Sequence, residues 1–151
     1  ALLAATAQEA TLSVSATLDQ APSTGASYVG IIARQVGSES YVVRAWLRAD
    51  GAVWLVTQRD GATLDAVAVP GLTWTAGGVL KLTVQTTGAT STTLRAKAWT
   101  GATEPTGWQI TSTDSTPALQ APGTVGLHAA RSASATSSGG FSFDTFRVSA
   151  A

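Results

Sequence analysis

The 151-residue sequence contains neither cysteine nor methionine. The lack of cysteine excludes disulfide bonds, thiolate metal sites and a cysteine nucleophile. The lack of methionine, even at position 1, is expected of a domain excised from a larger protein or of a processed product. Residues 1–5 are too short for a signal peptide and lack its charged flank. No apolar run is long enough to span a membrane, so we do not expect membrane insertion.

Charge is scarce as well. Only 12% of the residues are charged, and nine basic side chains balance nine acidic ones to give a formal net charge of zero. Nucleic-acid binding depends on a strong positive excess, so we expect no nucleic-acid partner. Hydrophobic residues make up 44% of the chain, which is enough to build a core in one domain spanning 1–151.

No segment repeats its apolar residues at helical spacing, whereas many segments alternate polar and apolar residues as half-buried strands do. Gly, Pro, Asp and Ser separate these segments. About ten short strands of this kind predict an all-β protein, a single two-sheet antiparallel β-sandwich. The predicted strands are Thr11–Leu18, Tyr28–Arg34, a hairpin within Ser40–Val56, Thr63–Val69, Val79–Thr86, Thr93–Trp99, Trp108–Ser112, Val125–Ala130 and Phe141–Val148.

The hairpin Ser40–Val56 is the most distinctive stretch, because an Asp-Gly pair joins its two alternating arms. Successive side chains of a strand point to opposite faces. The first arm therefore has one apolar face, and its other face combines Arg44, Trp46 and Arg48. The second arm adds Trp54. A solvent face with two tryptophans and two guanidinium groups is a candidate binding surface.

Four stretches, in this order, resemble the concanavalin A-like (laminin G-like) jelly-roll family. The similarity is nearest to uncharacterised copies in actinobacterial secreted proteins and in the tail proteins of their phages. The stretches are YVVRAWLRADGAVWL (Tyr41–Leu55), VPGLTWTAGGVLKLTVQTTG (Val69–Gly88), TTLRAKAWTGATEPTGWQITSTDST (Thr92–Thr116) and PGTVGLHAA with FSFDTFRV (Pro122–Val148).

This resemblance implies two antiparallel sheets, one of them curved with an open concave face. In the lectins and carbohydrate-binding modules of the superfamily, that face or its rim holds glycans. The family's opening strand, usually rich in glycine and tryptophan, is not visible before Thr11. We therefore expect the jelly roll to lack its first strand.

If the central strands lie in one sheet, as the family suggests, their outward residues form one platform of tryptophans and cations. Sugar rings stack on indoles, while Arg, Lys and Gln donate hydrogen bonds to hydroxyls or carboxylates. The cations would favour acidic glycans. Alternatively, Arg and Trp stack on each other at about 0.5–1 kcal/mol per exposed pair, or a neighbouring domain covers the face. The candidate residues are Arg44, Trp46, Arg48, Trp54, Lys81, Thr83, Gln85, Arg95, Lys97 and Trp99.

Catalysis is not expected. Glycosidases use two carboxyl groups at a defined separation, and the acidic residues here are scattered, mostly at turns. The Glu-x-Asp-x-x-Glu motif of the superfamily's glucanases is absent, as is a nucleophile elbow. The lone His128 has no partner in sequence, so we expect a packed or edge histidine.

Two further expectations concern metal and loops. Asp144 resembles a position that, in some jelly-roll modules, holds a structural calcium with an acidic residue near the first strand, and Glu9 is the candidate partner. Alternatively, Asp144 pairs with Arg147 or Arg131. Trp74 and Trp108 are expected to anchor loops on the core.

The sequence thus favours a non-catalytic carbohydrate-binding or adhesion module, extracellular, secreted or virion-associated. Its expected partners are a cell-surface or extracellular glycan and the adjoining domains of a parent protein. The alternative from another class is a structural assembly module of a phage tail or secreted multidomain protein, for which we expect a homo-oligomer. A glycan-acting enzyme is the third and least favoured hypothesis.

Overall fold

A computed structural model describes residues 2–19, 25–131 and 140–151, with side chains from residue 6 onward. No helix in this part of the chain is long and apolar enough to cross a membrane. The described residues form strands and one 3-10 helix, η1 (Pro117–Leu119). The strands are β1 (Leu2–Ala7), β2 (Ala10–Leu18), β3 (Ala26–Val36), β4 (Glu39–Arg48), β5 (Ala52–Arg59), β6 (Ala62–Thr73), β7 (Val79–Thr87), β8 (Thr92–Trp99), β9 (Ile110–Asp114), β10 (Gly123–Arg131) and β11 (Phe141–Ser149).

The strands form two antiparallel sheets. The six-stranded sheet has the order β1-β10-β3-β4-β5-β6, and the five-stranded sheet has the order β11-β2-β7-β8-β9. The chain passes from the first sheet to the second after β6, through the segment that contains Trp74. Trp74 is buried in the core. The predicted all-β, two-sheet antiparallel sandwich is confirmed.

One apolar layer fills the space between the sheets. Along β2, buried and partly exposed residues alternate without interruption, as they do along β8. Leu12 and Leu94 from the five-stranded sheet, and Val43 and Leu55 from the six-stranded sheet, are fully buried in the same cluster. Because the period is two, the residues between them necessarily face outward.

Two strands differ from the sequence prediction. The sequence predicts no strand before Thr11, but β1 pairs with β10 at the edge of the six-stranded sheet. Its sequence, LLAATA, lacks the alternation that marks the other strands. The second difference is β6, which continues through Pro70. Proline cannot donate a ladder hydrogen bond, yet an edge strand tolerates it.

Arg34 is the one charged residue among the buried polar residues that the structure describes, and its side chain is fully buried. Its Nη1 donates to Thr92 Oγ1 at 2.6 Å and to the Leu119 carbonyl at 2.7 Å, and its Nη2 donates to the Gln8 carbonyl. Burial lowers the pKa of Arg34, partly offset by Tyr41 and Glu9. These bonds tie β3 of one sheet to β8 of the other and to η1.

A second polar cluster adjoins Arg34. Tyr41 of β4 donates its hydroxyl proton to Asp114 Oδ2 of β9 at 2.5 Å, and Arg59 Nη1 contacts Asp114 Oδ1 at 3.0 Å. Burial would raise the pKa of Asp114, but hydrogen bonds from Tyr41 and Thr116 and the charge of Arg59 outweigh it and hold that pKa below its ordinary value. Burial and the same contact raise the pKa of Tyr41 to about 12. The cluster is a second polar tie between the sheets.

Replacing Asp114 with Asn should lower the free energy of unfolding by about 2 kcal/mol at neutral pH, because the carboxylate loses its charge-assisted bonds. Since the folded-state pKa of Asp114 is depressed, this contribution is fully present above the unfolded-state pKa of about 3.9. It is lost as the pH falls through the folded-state value. Urea unfolding of both proteins between neutral and strongly acidic pH measures the difference.

Asp144→Asn is the matched control, because Asp144 is exposed and has no ion pair within the described ranges. Its unfolding free energy should follow that of the unchanged protein at every pH. A gap between the unchanged protein and Asp114→Asn that stays constant down to strongly acidic pH would contradict the ionic role of Asp114.

Candidate functional site

The structure divides the predicted binding face between the two sheets. Arg44, Trp46, Arg48 and Trp54 lie on β4 and β5 of the six-stranded sheet, whereas the other candidates lie on β7 and β8 of the five-stranded sheet. Both groups point away from the core, so they face opposite sides of the sandwich. The prediction of a single platform is therefore wrong. The residues on the second side are Lys81, Thr83, Gln85, Arg95, Lys97 and Trp99.

Three aromatic side chains lie side by side on the outer face of the six-stranded sheet, and we call them the aromatic row. Tyr28 of β3 is opposite Trp46 of β4, which is opposite Trp54 of β5. The ring centroids of Tyr28 and Trp46 are 6.3 Å apart with planes at 26°, and those of Trp46 and Trp54 are 5.6 Å apart at 47°. The row therefore runs across the strands.

Two arginines lie against the aromatic row. The Arg44 Cζ is 3.8 Å from the centroid of the Tyr28 ring, and the Arg48 Cζ is 5.2 Å from that of Trp46. Arg48 also contacts Asp50 at 3.6 Å, with both side chains well exposed. The stacking of arginine on aromatic rings, which the sequence analysis kept as an alternative, is thus present.

Gly30 opens the space that Arg44 occupies. It is opposite Arg44 in the β3–β4 pair, and a Cβ there would lie 2.3 Å from the Val43 carbonyl oxygen and 2.6 Å from the Arg44 Cα. Neither backbone atom moves readily. A glycine at this position is therefore required by the close approach of the two strands.

His128 of β10 joins the same face from the other side of Gly30, to which it is directly opposite. It is partly buried, in agreement with the expected packed histidine. Burial, then the charge of Arg44, lower its pKa. Its Nε2 is buried without a hydrogen-bond partner, and so are the Nε of Arg44 and the Nε1 of Trp46.

An open pocket of about 480 Å³ lies beside Tyr28 and Trp46, toward the start of β3 and the end of β4. Tyr28, Trp46, Arg48 and Asp50 line it. An aromatic wall beside one cation and one carboxylate suits a polar ligand with an apolar ring face. Sequence reasoning missed Tyr28 and His128 here, although Tyr28 occupies an outward position in a predicted strand.

The candidates on the five-stranded sheet are mostly engaged within the protein. Lys97 Nζ donates to the Pro105 carbonyl at 2.8 Å, pairs with Glu104 at 3.0 Å and lies 4.9 Å from the Trp108 ring centroid. Lys81 Nζ donates to the Gly101 carbonyl at 2.7 Å. Residues 100–109 therefore fold against this sheet. Trp108 was expected to anchor this loop on the core, but it packs against Lys97 instead.

Gln85 and Arg95 differ from the lysines beside them. Gln85 Nε2 donates weakly to Thr11 Oγ1 at 3.4 Å on the neighbouring strand. Arg95 is opposite Gln85 and Thr111 and does not line the 480 Å³ pocket.

The proposed calcium pair is contradicted by the geometry. Asp144 is opposite Ser15 on β2, whereas Glu9 precedes that strand, six residues away. At the rise of an extended strand this is about 20 Å, too far to share one ion. Glu9 instead accepts a bond from the Gly88 amide at 2.7 Å. Nowhere in the described part of the chain do three acidic or histidine side chains gather to hold a metal.

The chain matches no protein-family model and no curated protein sequence. In shape it is similar to an ancestral congerin at 12% identity and TM-score 0.50, with 93% of this chain and 91% of that chain covered. It has a jelly-roll fold. It is also similar to the GH43 protein BlXynB of Bacillus licheniformis, at 14% identity and TM-score 0.51, with 96% of this chain and 28% of that chain covered. An alginate lyase of Pseudomonas aeruginosa is similar at 15% identity and TM-score 0.50, with 95% of this chain and 65% of that chain covered.

The resemblance to concanavalin A-like jelly rolls is thus confirmed at the level of the fold. At 12% to 15% identity, these similarities carry the fold and nothing finer. Because an alginate lyase shares the fold, the fold does not decide between binding and catalysis. The choice between binding and catalysis therefore rests on the residues of the two outer faces.

Replacing Arg44 with Gln should raise the pKa of His128 toward its ordinary value, since the positive charge of Arg44 is one cause of the lowering. The pKa should stay below about 6.5, because burial is the larger cause. His128 is the only histidine, so an NMR pH titration of its ring protons follows it alone. Arg48→Gln, on the same strand but over Trp46, should leave the titration unchanged. An unmoved His128 pKa in Arg44→Gln would show that the two groups do not share this face.

Proposed function

We propose that the protein is a non-catalytic carbohydrate-binding module, and that the aromatic row of the six-stranded sheet is its glycan-binding surface. The observation that carries this proposal is the alignment of Tyr28, Trp46 and Trp54 on an outer face, where the core does not need them. The three partly exposed rings are adjacent, and a contiguous apolar patch on an outer face is a mark of an interaction site.

The spacing of the rings suits a saccharide chain. Sugar rings present C–H faces that stack on aromatic side chains, and the rings in this row follow one another at 6.3 and 5.6 Å. Since the row crosses β3, β4 and β5, a bound chain would cross the strands and not run along them. The 480 Å³ pocket beside Arg48 would flank the part of that chain that lies over Tyr28 and Trp46.

The charges favour an acidic glycan. Arg44 and Arg48 both lie on the row, and the pairing of Arg48 with Asp50 at 3.6 Å is an exposed one, which contributes little. A ligand carboxylate or sulfate can therefore compete for Arg48 and gain a bidentate contact. The Nε of Arg44 and the Nε1 of Trp46 are buried, so the contacts available to a ligand are the terminal guanidinium nitrogens and the ring faces.

The stacked arginines are also compatible with a closed face that binds nothing, in which each cation covers a ring. The two functions differ in what they require of Trp54. Among the described residues no arginine or lysine lies over Trp54, so its ring is not covered as those of Tyr28 and Trp46 are. The alternative, an assembly module of a phage tail or secreted protein, stays a prediction. The extracellular or virion-borne location also stays a prediction.

Trp46→Ala and Trp54→Ala should each weaken glycan binding about tenfold or more, because each removes a stacking surface worth about 1 kcal/mol in addition to its buried area. A glycan array on the unchanged protein identifies the ligand, and calorimetry then measures the affinities. Arg48→Gln should weaken binding of acidic glycans and make the remaining affinity less sensitive to salt.

Arg95→Gln is the control, because it removes the same charge from the opposite sheet, outside the 480 Å³ pocket. The outward position of Trp46 and Trp54 means that neither Ala substitution opens a core cavity, and urea unfolding verifies this. If the array finds a ligand whose affinity survives both tryptophan substitutions, the aromatic row is not the binding surface. If no glycan binds, the proposal fails.

A further inference from the structure

A second pocket, of about 410 Å³, lies on the outer face of the five-stranded sheet. We call it the Trp99 pocket. Side chains from β2, β7, β8 and β11 and from the loop after β8 surround it. It lies on the opposite side of the sandwich from the aromatic row and shares no residue with it.

The lining combines one indole with several hydroxyl groups. Trp99 forms the aromatic wall, and Ser13, Ser15 and Thr83 supply hydroxyls from the two adjacent strands β2 and β7. Hydroxyls both donate and accept hydrogen bonds, which matches the hydroxyl groups of a sugar. The Nε1 of Trp99 is buried and has no hydrogen-bond partner.

The pocket also carries free positive charge. Arg147 is exposed and forms no ion pair or side-chain hydrogen bond with any described residue. Lys81 uses one donor on the Gly101 carbonyl, and an ammonium group has three. The one acidic residue of the lining, Glu104, is already paired with Lys97 at 3.0 Å. Asp144, beside the pocket on β11, does not line it.

An irregularity in β11 places two of these side chains. The register with β2 shifts between Asp144 and Arg147, and Thr145 within that shift has φ 54°. A β-branched residue in the left-handed region is uncommon, and bulges of this kind redirect side chains. Thr145 and Arg147 both line the pocket. The irregularity thus lies where β11 contributes a hydroxyl and a guanidinium to the pocket.

We propose that the Trp99 pocket is a second saccharide-binding site, which takes a sugar unit bearing a carboxylate or sulfate. The ring of the sugar stacks on Trp99, its hydroxyls bond to Ser13, Ser15 and Thr83, and its acidic group binds Arg147 and Lys81. With sites on opposite faces, one molecule can bridge two glycan chains. The inference does not require binding at the aromatic row, because the two residue sets are separate.

The test uses three tetrasaccharides: one alginate-derived with carboxylates, one heparin-derived with sulfates, and neutral cellotetraose. Each is titrated into the isotopically labelled protein, and two-dimensional NMR follows the indole N–H of Trp99 and the neighbouring backbone amides. We expect a charged tetrasaccharide to shift these signals and cellotetraose to bind at least tenfold more weakly. Binding should survive Trp46→Ala.

Arg147→Gln and Trp99→Ala should each weaken this binding at least tenfold, and Arg95→Gln, on the same face outside the pocket, should not. Arg147 is exposed on an edge strand, so its substitution tests the site even if Trp99→Ala does not fold. The proposal is overturned if no probe shifts the Trp99 signals, if Arg147→Gln and Arg95→Gln behave alike, or if Trp46→Ala abolishes the shifts at Trp99.

Discussion

Everything in this protein depends on one shared apolar layer between two sheets. Each strand has only two faces, and the layer takes one face from every strand that lies over it. Val43 and Leu55 from one sheet and Leu12 and Leu94 from the other are completely excluded from solvent. The complementary residues are thereby committed to one of two outer faces, and those faces hold every candidate for function.

The interior is not purely apolar, and the one buried charged side chain in the described part of the chain helps to join the two sheets. Arg34 is fully buried without a carboxylate bonded to it, so its guanidinium depends on Thr92 and two carbonyl groups. Without these acceptors the buried cation would be left unpaired. An unpaired buried charge destabilises the fold far more than an apolar residue at the same position would. Tyr41 and Asp114 extend the polar contacts to β9. Both clusters join strands of different sheets and so favour one relative placement of the two layers.

The two outer faces differ in character. On the six-stranded sheet, rings and guanidinium groups stack directly, and Gly30 leaves room for Arg44 to lie over Tyr28. On the five-stranded sheet, hydroxyl-bearing residues of β2 and β7 form the floor, and residues 100–109 fold over β8 and engage its lysine. Because the predicted platform residues lie on two different sheets, they do not form one large binding surface. What remains is two smaller surfaces of different chemistry, each with its own pocket.

The sequence by itself determined the strands and their faces, because alternation with period two is a local property that neighbouring residues display together. It therefore placed Trp46 and Trp54 on one solvent face, and it predicted the two-sheet sandwich and the Asp-Gly hairpin turn. It could not determine which sheet β7 and β8 join, since that depends on pairing with β2, some 70 residues earlier. Only the tertiary structure brought Tyr28 and His128 beside Arg44, separated Glu9 from Asp144 and placed Trp99 on the far side. All of these depend on which strands are neighbours, and no short stretch of chain encodes that.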